Sequence, residues 1–175
     1  MEIVKKYKLI DGTRVENGRY VRNAEWEPDD DSYIVGVNNW IINSEGKFLV
    51  QQRSLKKKNN PGKWSSTNGL IGLNEEPIET VIRETKEELD IDINSTQIEL
   101  VKQNHIVGNH LIVDVFATYA NPENITIQES EVEKYSFVSL EELLSLDIST
   151  TCSYITELAP KLLETAEEIK KRNSI

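Results

Sequence analysis

The sequence predicts an α+β fold in which a mixed β-sheet lies between helices. Segments rich in β-branched and aromatic residues alternate along the 175 residues with two or three segments of helical period. A chain of this length can bury one sizeable core, and its 38% apolar and 29% charged residues are typical of a globular protein. No repeat or linker-like tract divides it. We therefore predict an N-terminal arm or hairpin over residues 1–32, a central domain over 33–148, and a C-terminal helical extension over 149–175 packed on the same domain.

The first predicted elements are strands. Two turn signals, Asp11-Gly12 and Asn17-Gly18, predict a hairpin-like arm. After the arm in the sequence, β-branched and aromatic residues favour further strands. These are separated by turns and by a polar, basic loop that contains Pro61-Gly62. The segments predicted as strands are Tyr33 to Ile42, Lys47 to Gln52 and Leu70 to Leu73.

The pattern then changes to a helical period. Apolar residues and one threonine recur at spacings of 3, 4, 7 and 11 from the first, which places them on one face of a helix from about Pro77 to Leu89. Pro77 suits the first helical position, where its missing N–H costs nothing. Asp90 follows the last turn and is expected to take the left-handed conformation there. The residues on the apolar face are Ile78, Val81, Ile82, Thr85 and Leu89.

The C-terminal half is predicted to contain three more strands and two helical segments. A short helix is predicted to begin after Ser139. Ser139 is its predicted N-cap, and Glu142, three residues later, completes the pattern of a capping box. In the last helical segment, Ser153 to Arg172, Pro160 is expected to break the helix or to begin a second one. The predicted strands are Gln97 to Ile106, His110 to Ala120 and Tyr135 to Val138.

Charge and composition limit the classes of partner. A net charge of -10 argues against a nucleic acid polymer, whose phosphates this surface would repel, but not against a small phosphorylated substrate bound through a cation. Cys152 is the only cysteine, so the chain can form no internal disulfide. No leader-like apolar region and no run of 18 apolar residues are present. We predict a cytoplasmic protein that makes no membrane contact.

Three glutamates are crowded beside the apolar face of the predicted helix. At about 100° per residue, Glu84, Glu87 and Glu88 fall within an arc of about 100°. Carboxylates about 4 Å apart repel one another by roughly 1 kcal/mol per pair in water. Mg²⁺ or Mn²⁺, which take carboxylate and phosphate oxygens, would offset that repulsion. The alternative is a solvated acidic face, which is what a charge run usually indicates.

The surroundings of these glutamates favour the metal site. From Gly69 the chain reads Gly69-x5-Glu75-x7-Arg83-Glu84-Thr85-x-Glu87-Glu88-x-Asp90-Ile91. This resembles the Nudix box, G-x5-E-x7-R-E-U-x-E-E-x-G-U, in which U is a bulky aliphatic residue. Thr85 and Asp90 depart from the box, which puts loop geometry in doubt but leaves the charged positions intact. The resemblance covers about Tyr33 to Leu146.

The resemblance implies an α/β/α sandwich and a role for each matched residue. Glu84, Glu87 and Glu88 would bind Mg²⁺ or Mn²⁺, while Gly69, Glu75 and Arg83 would keep the loop–helix–loop in shape. A further glutamate outside the box often completes such sites as a ligand or general base. Glu131 is the first candidate and Glu129 the second, although the segment that holds them could equally be a plain acidic loop.

A second segment lies ahead of the box. Gln51-Gln52-Arg53-Ser54, then Lys57 and Pro61-Gly62-Lys63-Trp64, resemble the corresponding part of isopentenyl-diphosphate isomerases and the Nudix hydrolases most like them. By that likeness Arg53 and Lys57 would bind the substrate diphosphate, since arginine suits bidentate phosphate contact and lysine acts as a mobile charge. The alternative is a solvent-exposed basic loop.

The function predicted from these motifs is Mg²⁺-dependent hydrolysis of a nucleoside diphosphate linked to another moiety X, by attack of a metal-activated water. One alternative is an isopentenyl-diphosphate isomerase-like enzyme, although that family resemblance implies a cysteine just before the box, where this chain has Ser65-Ser66-Thr67-Asn68. Another is a non-catalytic nucleotide-sensing domain. The N-terminal arm and the C-terminal helix are candidate surfaces for a homodimer.

Overall fold

A mixed β-sheet forms the centre of the computed structural model, which describes residues 2–22, 28 and 30–174. Five strands lie in the order β5-β4-β3-β8-β7, while β6 pairs with β3 and β9 pairs with β4. Helices lie on both faces, so the predicted α+β fold is confirmed. The strands of this sheet are β3 (Ile34–Ile42), β4 (Phe48–Arg53), β5 (Trp64–Ser65), β6 (Thr67–Leu70), β7 (Ile98–Ile106), β8 (Leu111–Tyr119) and β9 (Val132–Val138).

The sheet forks at β3. One edge of β3 pairs in parallel with β8 along its whole length, from Ile34 opposite Leu111 to Ile42 opposite Tyr119. The other edge is divided between two antiparallel neighbours: β6 takes residues 36–39 and β4 takes residues 41–42. Because β3 has neighbours on both sides and helices over both faces, eight of its nine residues are buried, including the polar Asn38 and Asn39.

Three helices complete the two outer layers: α1 (Pro77–Leu89), α2 (Leu140–Ser145) and α3 (Ile155–Asn173). One apolar cluster joins the sheet to α3 and the other joins it to α1. Strand alternation sends Trp40 and Ile42 of β3 into the α3 cluster and Val37 and Ile41 into the α1 cluster. At about 25 cal/mol per Å² of apolar surface, these two interfaces supply the main stabilising term of the fold.

The ends of α1 match the sequence. Pro77 occupies the first turn, and Asp90 at the C-terminus has φ 56° and ψ 34°, the left-handed conformation predicted for it. Its backbone N–H donates to the carbonyl of Lys86 and so satisfies one of the last carbonyls of the helix. At α2 the predicted capping box is present, with Glu142 N–H donating to Ser139 Oγ and Ser139 N–H donating to Glu142 Oε2.

Two element predictions were wrong. The short strand is Thr67–Leu70 rather than Leu70 to Leu73, because β6 pairs with β3 only as far as Leu70 opposite Gly36. Pro160 does not break the last helix, since α3 runs through it from Ile155. The carbonyl that Pro160 leaves without a helical donor belongs to Thr156, and both residues are exposed, so water can satisfy it.

The N-terminal arm is a separate two-stranded hairpin, β1 (Glu2–Ile10) and β2 (Thr13–Arg22). Asp11-Gly12 forms its turn, as predicted. Asn17-Gly18 was wrongly predicted as a second turn: it lies within β2 near a register shift between Lys5 and Tyr7, and Gly18 takes a φ of +100° there. Such a bulge bends a strand without ending it.

This hairpin is joined to the sheet by backbone and side-chain contacts. Tyr7 and Tyr33 exchange two backbone hydrogen bonds of 2.8 Å. Arg14 Nη1 lies 2.7 Å from Asp114 Oδ2 on β8, and the Asp114 side chain is only 1% exposed. Asn104 adds a hydrogen bond from its Nδ2 to the Gly12 carbonyl at 3.1 Å. No helix among the described residues is both long and apolar enough to cross a membrane.

Candidate active site

A cavity of about 1130 Å³ opens where α1, the β4–β5 loop and the N-terminal hairpin approach one another. Every residue predicted to be catalytic or substrate-binding lies on its wall, whereas Glu129 does not. The structure therefore brings together carboxylates and cations from five parts of the chain. The charged residues of the wall are Glu2, Arg22, Arg53, Lys57, Lys58, Glu84, Glu87, Glu88 and Glu131.

The three α1 glutamates differ in exposure. The side chains of Glu84 and Glu87 are 16% and 50% exposed, and Glu88 is 7% exposed. Thr85 lies between them on the apolar side, fully buried beside Asn39. The departure of Thr85 from the aliphatic pattern therefore costs the helix no core contact, since its hydroxyl meets a polar residue.

Burial makes two of these carboxylates reluctant to ionise. Desolvation, opposed by Arg83, raises the pKa of Glu84 to about 7. Desolvation also raises the pKa of Glu88 to about 8, against the hydrogen bond from Gln51, and the charges of Glu84 and Glu131 raise it further. A bound cation would reverse this, because the charged form of a carboxylate is favoured by a positive neighbour.

Each carboxylate of the site is held by a protein donor. Arg83 Nη1 donates to Glu84 Oε1 at 2.8 Å and to Glu87 Oε2 at 3.2 Å. Gln51 Nε2 donates to Glu88 Oε2 at 2.7 Å. Lys57 Nζ is paired with Glu131 Oε1.

In this arrangement Glu84 and Glu87 share one nitrogen of Arg83, whereas Glu88 and Glu131 each have a separate partner. Among residues 2–22, 28 and 30–174, no three acidic, histidine or cysteine side chains converge as a ready metal site. The donor set nevertheless fits Mg²⁺ or Mn²⁺, which take several carboxylate oxygens. Rotation of Glu84 and Glu87 away from Arg83 would be needed to bring the oxygens to one ion.

The loop before α1 is held in shape by Glu75. Its Oε1 accepts from Arg83 Nε at 2.7 Å, and its Oε2 accepts from Arg83 Nη2 at 3.0 Å, from Thr80 Oγ1 at 2.8 Å and from the Gly72 N–H at 3.0 Å. The hydrogen bond from Arg83 is the main reason that the pKa of Glu75 is lowered to about 2. A carboxylate that accepts this many bonds stays ionised and fixes the loop to the helix.

Gly69 is required by close approach rather than by its backbone angles. A Cβ at this position would lie 2.1 Å from Glu84 Oε1 and 2.2 Å from Glu84 Cδ. Only a residue without a side chain lets Glu84 occupy its place against β6. The observed conformation of Glu84 therefore requires a glycine at position 69.

The basic loop between β4 and β5 faces the glutamates. Arg53 ends β4, and its Nε donates to the Asn59 carbonyl at 2.6 Å, which folds the loop back on itself. Lys57 is brought to the segment before β9 by its pairing with Glu131. That segment is in turn tied to the end of α1, since the Gln128 N–H donates to the Glu88 carbonyl at 2.9 Å.

Three features of the site were not predicted from the sequence. Gln51 holds Glu88, the hairpin residues Glu2 and Arg22 line the cavity, and several asparagine, serine and threonine side chains line it as well. Gln51 and Asn68 lie in segments beside the recognised motifs, but no spacing in the sequence indicates their contacts, which depend on strand pairing. Trp40 is fully buried in the core and has no face open to a ligand.

Comparison with known proteins identifies the family. A family model described as the NUDIX domain matches residues 32–156, which is most of the chain. The chain belongs to the Nudix family. The predicted resemblance is confirmed, and the Nudix box of this chain is the segment that holds Glu84, Glu87 and Glu88 in the cavity.

Relatives of this Nudix chain differ in their named activities. Nudix hydrolase 2 of Arabidopsis thaliana is 27% identical over 150 residues, which are 76% of this chain and 54% of that protein, so the chain spans about half of its length. An isopentenyl-diphosphate Delta-isomerase of Shigella boydii is 32% identical over 146 residues, 78% of each chain.

The fold is also found among solved structures. The crystal structure of DR0079 from Deinococcus radiodurans superposes with a TM-score of 0.71 at 17% identity, covering 92% of this chain and 99% of that one. At this identity the likeness establishes the fold alone. The coverage extends beyond the segment matched by the family model, so most of this Nudix chain has a structural counterpart.

Proposed function

We propose that this Nudix enzyme is a Mg²⁺- or Mn²⁺-dependent hydrolase that cleaves the phosphoanhydride linkage of a nucleoside diphosphate linked to another moiety X. One observation carries the proposal: desolvated carboxylates of α1 and the cations of the β4–β5 loop face the same cavity. Cations on one wall and carboxylates on another suit a diphosphate bridged to the protein by a divalent ion.

In this proposal Glu84, Glu87 and Glu88 hold the metal. When bound, the metal would neutralise the diphosphate and lower the pKa of the attacking water. Gln51 keeps Glu88 oriented toward the cavity, and Arg83, held by Glu75, keeps its guanidinium beside Glu84 and Glu87. Metal binding would draw Glu84 and Glu87 away from Arg83, while Glu88 would keep the orientation that Gln51 gives it.

Arg53 and Lys57 bind the diphosphate, and Glu131 receives the proton of the attacking water. The pairing of Lys57 with Glu131 favours this assignment, because a substrate phosphate that draws Lys57 away leaves Glu131 free to accept a proton. Glu131 lines the cavity and Glu129 does not, which is why we prefer Glu131 as the base.

A screen of diphosphate compounds with and without Mg²⁺ tests the proposal. The panel should contain nucleoside triphosphates, ADP-ribose, dinucleoside polyphosphates and non-nucleotide diphosphates. We expect metal-dependent cleavage of at least one compound and a loss of at least about 10²-fold in kcat/KM for Glu88→Gln. Glu123→Gln, which removes an exposed charge from a loop, is the matched control. Full activity of Glu88→Gln would refute the site.

The isomerase alternative has support from the relative that is 32% identical. The isomerase resemblance implies an active-site cysteine just before the box, and the one cysteine of the chain, Cys152, lies elsewhere in the sequence and is completely buried. We therefore expect no allylic product from isopentenyl diphosphate with this chain and Mg²⁺ in ²H₂O. Deuterium incorporation seen by NMR would instead establish the isomerase.

The sensor alternative predicts binding without cleavage. The complete set of Glu84, Glu87 and Glu88 argues against it, since these carboxylates have no part in the core that a purely binding domain would need to keep. Ligand-induced stabilisation with no cleavage of any compound on the panel would favour the sensor.

A further inference from the structure

We propose that Asn39, Thr67 and Thr118 are positioning residues, which hold α1 and its glutamates in the orientation that metal binding requires. Together with Gln51 they form a band of buried polar side chains beneath α1, the polar band. The inference rests on the proposed function for the role of the glutamates as metal ligands. It assigns a role to residues that lie outside the Nudix box.

The polar band crosses the face of the sheet that α1 covers. Asn39 shares this face of β3 with Ile41, a member of the α1 cluster. Thr67 on β6 lies opposite Asn39, and Thr118 on β8 lies opposite Ile41 in the strand register. Gln51 lies on the same face because it is two residues after the β4 partner of Ile41. The band therefore draws on four neighbouring strands.

The first half of the band contacts Thr85. Thr118 Oγ1 donates to Asn39 Oδ1 at 2.7 Å, and Asn39 Nδ2 donates to Thr85 Oγ1 at 3.4 Å. The three side chains are at most 1% exposed. The aliphatic residue that the box has in place of Thr85 would leave the Asn39 amide without this acceptor, and a buried unpaired donor costs about 1 to 3 kcal/mol. Asn39 and Thr85 are thus a matched pair of this chain.

The second half of the band contacts Glu88. Gln51 Nε2 donates to Glu88 Oε2 at 2.7 Å, while Thr67 Oγ1 lies 3.5 Å from Gln51 Oε1. Thr67 is 3% exposed and Gln51 is 5% exposed. In both halves a threonine hydroxyl meets the amide oxygen, so the amide nitrogen is turned toward the helix.

These hydrogen bonds fix the rotation of α1 about its axis. Thr85 and Glu88 are three residues apart and therefore lie on the same side of the helix. Val81 and Leu89 of α1 pack on the sheet through apolar contacts, and such contacts have no preferred direction. Hydrogen bonds prefer particular angles and distances. The polar band therefore supplies the orientation that apolar packing alone does not.

Metal binding depends on that orientation. A rotation of about 20° would move a side-chain end that lies about 5.5 Å from the helix axis by roughly 2 Å. Mg²⁺ takes its ligands at about 2.0 to 2.1 Å in nearly octahedral geometry, so a displacement of this size removes a ligand. The polar band thus acts on Glu84 and Glu88 through the helix and through Gln51, without touching the substrate.

A triple variant separates the positioning role from stability. Asn39→Leu, Thr85→Val and Thr118→Val together replace the first half of the band with apolar side chains of similar size. No partner is left unpaired, so the Tm should stay within a few degrees. We expect Mg²⁺ to bind at least about 10-fold more weakly, measured by calorimetry with magnesium chloride alone. Thr67→Val should weaken Mg²⁺ binding in the same direction.

The control removes buried hydrogen bonds from the other face of the sheet. Tyr154 Oη accepts from Asn38 Nδ2 and from Trp40 Nε1, each at 2.9 Å. Tyr154→Phe should lower the Tm, because both donors lose this acceptor. It should nevertheless keep the Mg²⁺ affinity of the unmodified protein. The triple variant and the control are therefore expected to change opposite properties.

Two outcomes would overturn the inference: an unchanged Mg²⁺ affinity in the triple variant, or an equal loss of affinity in Tyr154→Phe. Failure of the proposed function has a different signature. If the unmodified protein binds neither Mg²⁺ nor Mn²⁺, the metal role falls, and a crystal structure of the triple variant decides the inference. A rotated α1 then supports it and an unmoved α1 overturns it. If diphosphates are cleaved while the triple variant keeps its affinity, the hydrolase stands and the positioning role falls.

Discussion

Gly69 and Glu84 are linked more tightly than their separation of fifteen residues suggests. The space that a Cβ on Gly69 would fill is already taken by the carboxylate of Glu84. Gly72 and Glu75 repeat the relationship, since a Cβ on Gly72 would lie 2.7 Å from Glu75 Oε2. In both cases the glycine lets a carboxylate pack directly on the backbone, so the motif specifies a shape as well as a charge.

We therefore expect Gly69→Ala to displace Glu84 and to lower kcat/KM by about 10²-fold or more, because the added methyl group crowds the proposed metal ligand and disturbs its placement. Its Tm should fall by only a few degrees, since Glu84 can rotate into the cavity. Steady-state kinetics and thermal unfolding measure the two effects. Unchanged activity would contradict the close contact described here.

Glu75 should make stability depend on pH. Its folded pKa of about 2 lies below the usual value of about 4.5, so it stabilises the protein above that value and loses the contribution as pH falls toward 2. Glu75→Gln should therefore lower Tm by a few degrees at pH 7, with the difference from the unmodified protein shrinking between about pH 4.5 and pH 2. Glu123→Gln, at an exposed loop position, should show no such dependence.

Local spacing explains which site residues the sequence revealed. Glu84, Glu87 and Glu88 lie within two turns of one helix, so their shared face follows from helical geometry. Asn38 reaches the cavity, and Gln51 reaches Glu88, only through the pairing of strands distant in sequence, and no spacing in the chain encodes that register. The roles of the charged residues remain predictions until the variants are measured.

At the scale of elements, the buried ion pair between Arg14 and Asp114 is one of the contacts that join the N-terminal hairpin to the sheet. Arg14→Ala would leave Asp114 buried without its counter-charge, and removal of one partner from such a pair costs about 3 kcal/mol. Lys5→Ala removes the exposed pair with Glu16 on the same hairpin and should cost at most about 1 kcal/mol. Urea unfolding of both variants gives the comparison. Equal losses would show that the Arg14 contact does not secure the hairpin.

Replacement of the proline in α3 is expected to stabilise the protein. Pro160 lies inside α3, a helix of 19 residues, and removes one of its backbone hydrogen bonds. Pro160→Ala should raise the free energy of unfolding by about 1 to 3 kcal/mol. The alanine N–H can donate to the Thr156 carbonyl, and alanine has a higher helix propensity than proline. Chemical denaturation measures the change, and a loss of stability would mean that the ring packs favourably.

Element types were easier to predict than element boundaries. Period and caps placed α1 correctly because Pro77 and Asp90 mark its ends chemically. In the α3 region Pro160 interrupts a helical pattern of apolar residues. The helix nevertheless continues through Pro160, because its apolar face packs on the sheet. Tertiary packing can override a low helix propensity in this way when water can satisfy the carbonyl that the proline leaves without a donor.

At the scale of the molecule, divalent metal should raise stability. With a net charge of -10 and a cavity rich in glutamates, a cation that binds only the folded state stabilises it by mass action, by about 2.7 kcal/mol at one hundred times its Kd. We expect Mg²⁺ to raise Tm and EDTA to reverse the rise, and Glu84→Gln with Glu88→Gln to abolish both. A Tm insensitive to Mg²⁺ would contradict a metal site.

The overall architecture followed from the alternation of strands and helices, but its forked sheet did not. Nothing in the residues of β3 states that β6 and β4 will divide one of its edges. The division into an arm over residues 1–32, a domain over 33–148 and an extension over 149–175 remains a prediction. The family model, which matches residues 32–156, ends within α3 rather than before it.

The parallel pairing of β3 with β8 also constrains how a ribosome can make this protein. Leu111 is 77 positions after its partner Ile34, since 111 minus 34 is 77. At roughly 5 to 20 residues per second, β3 leaves the exit tunnel on the order of 4 to 15 s before the strand that covers its edge. During that interval an apolar strand is unprotected, and chaperone capture of nascent chains should be greatest there.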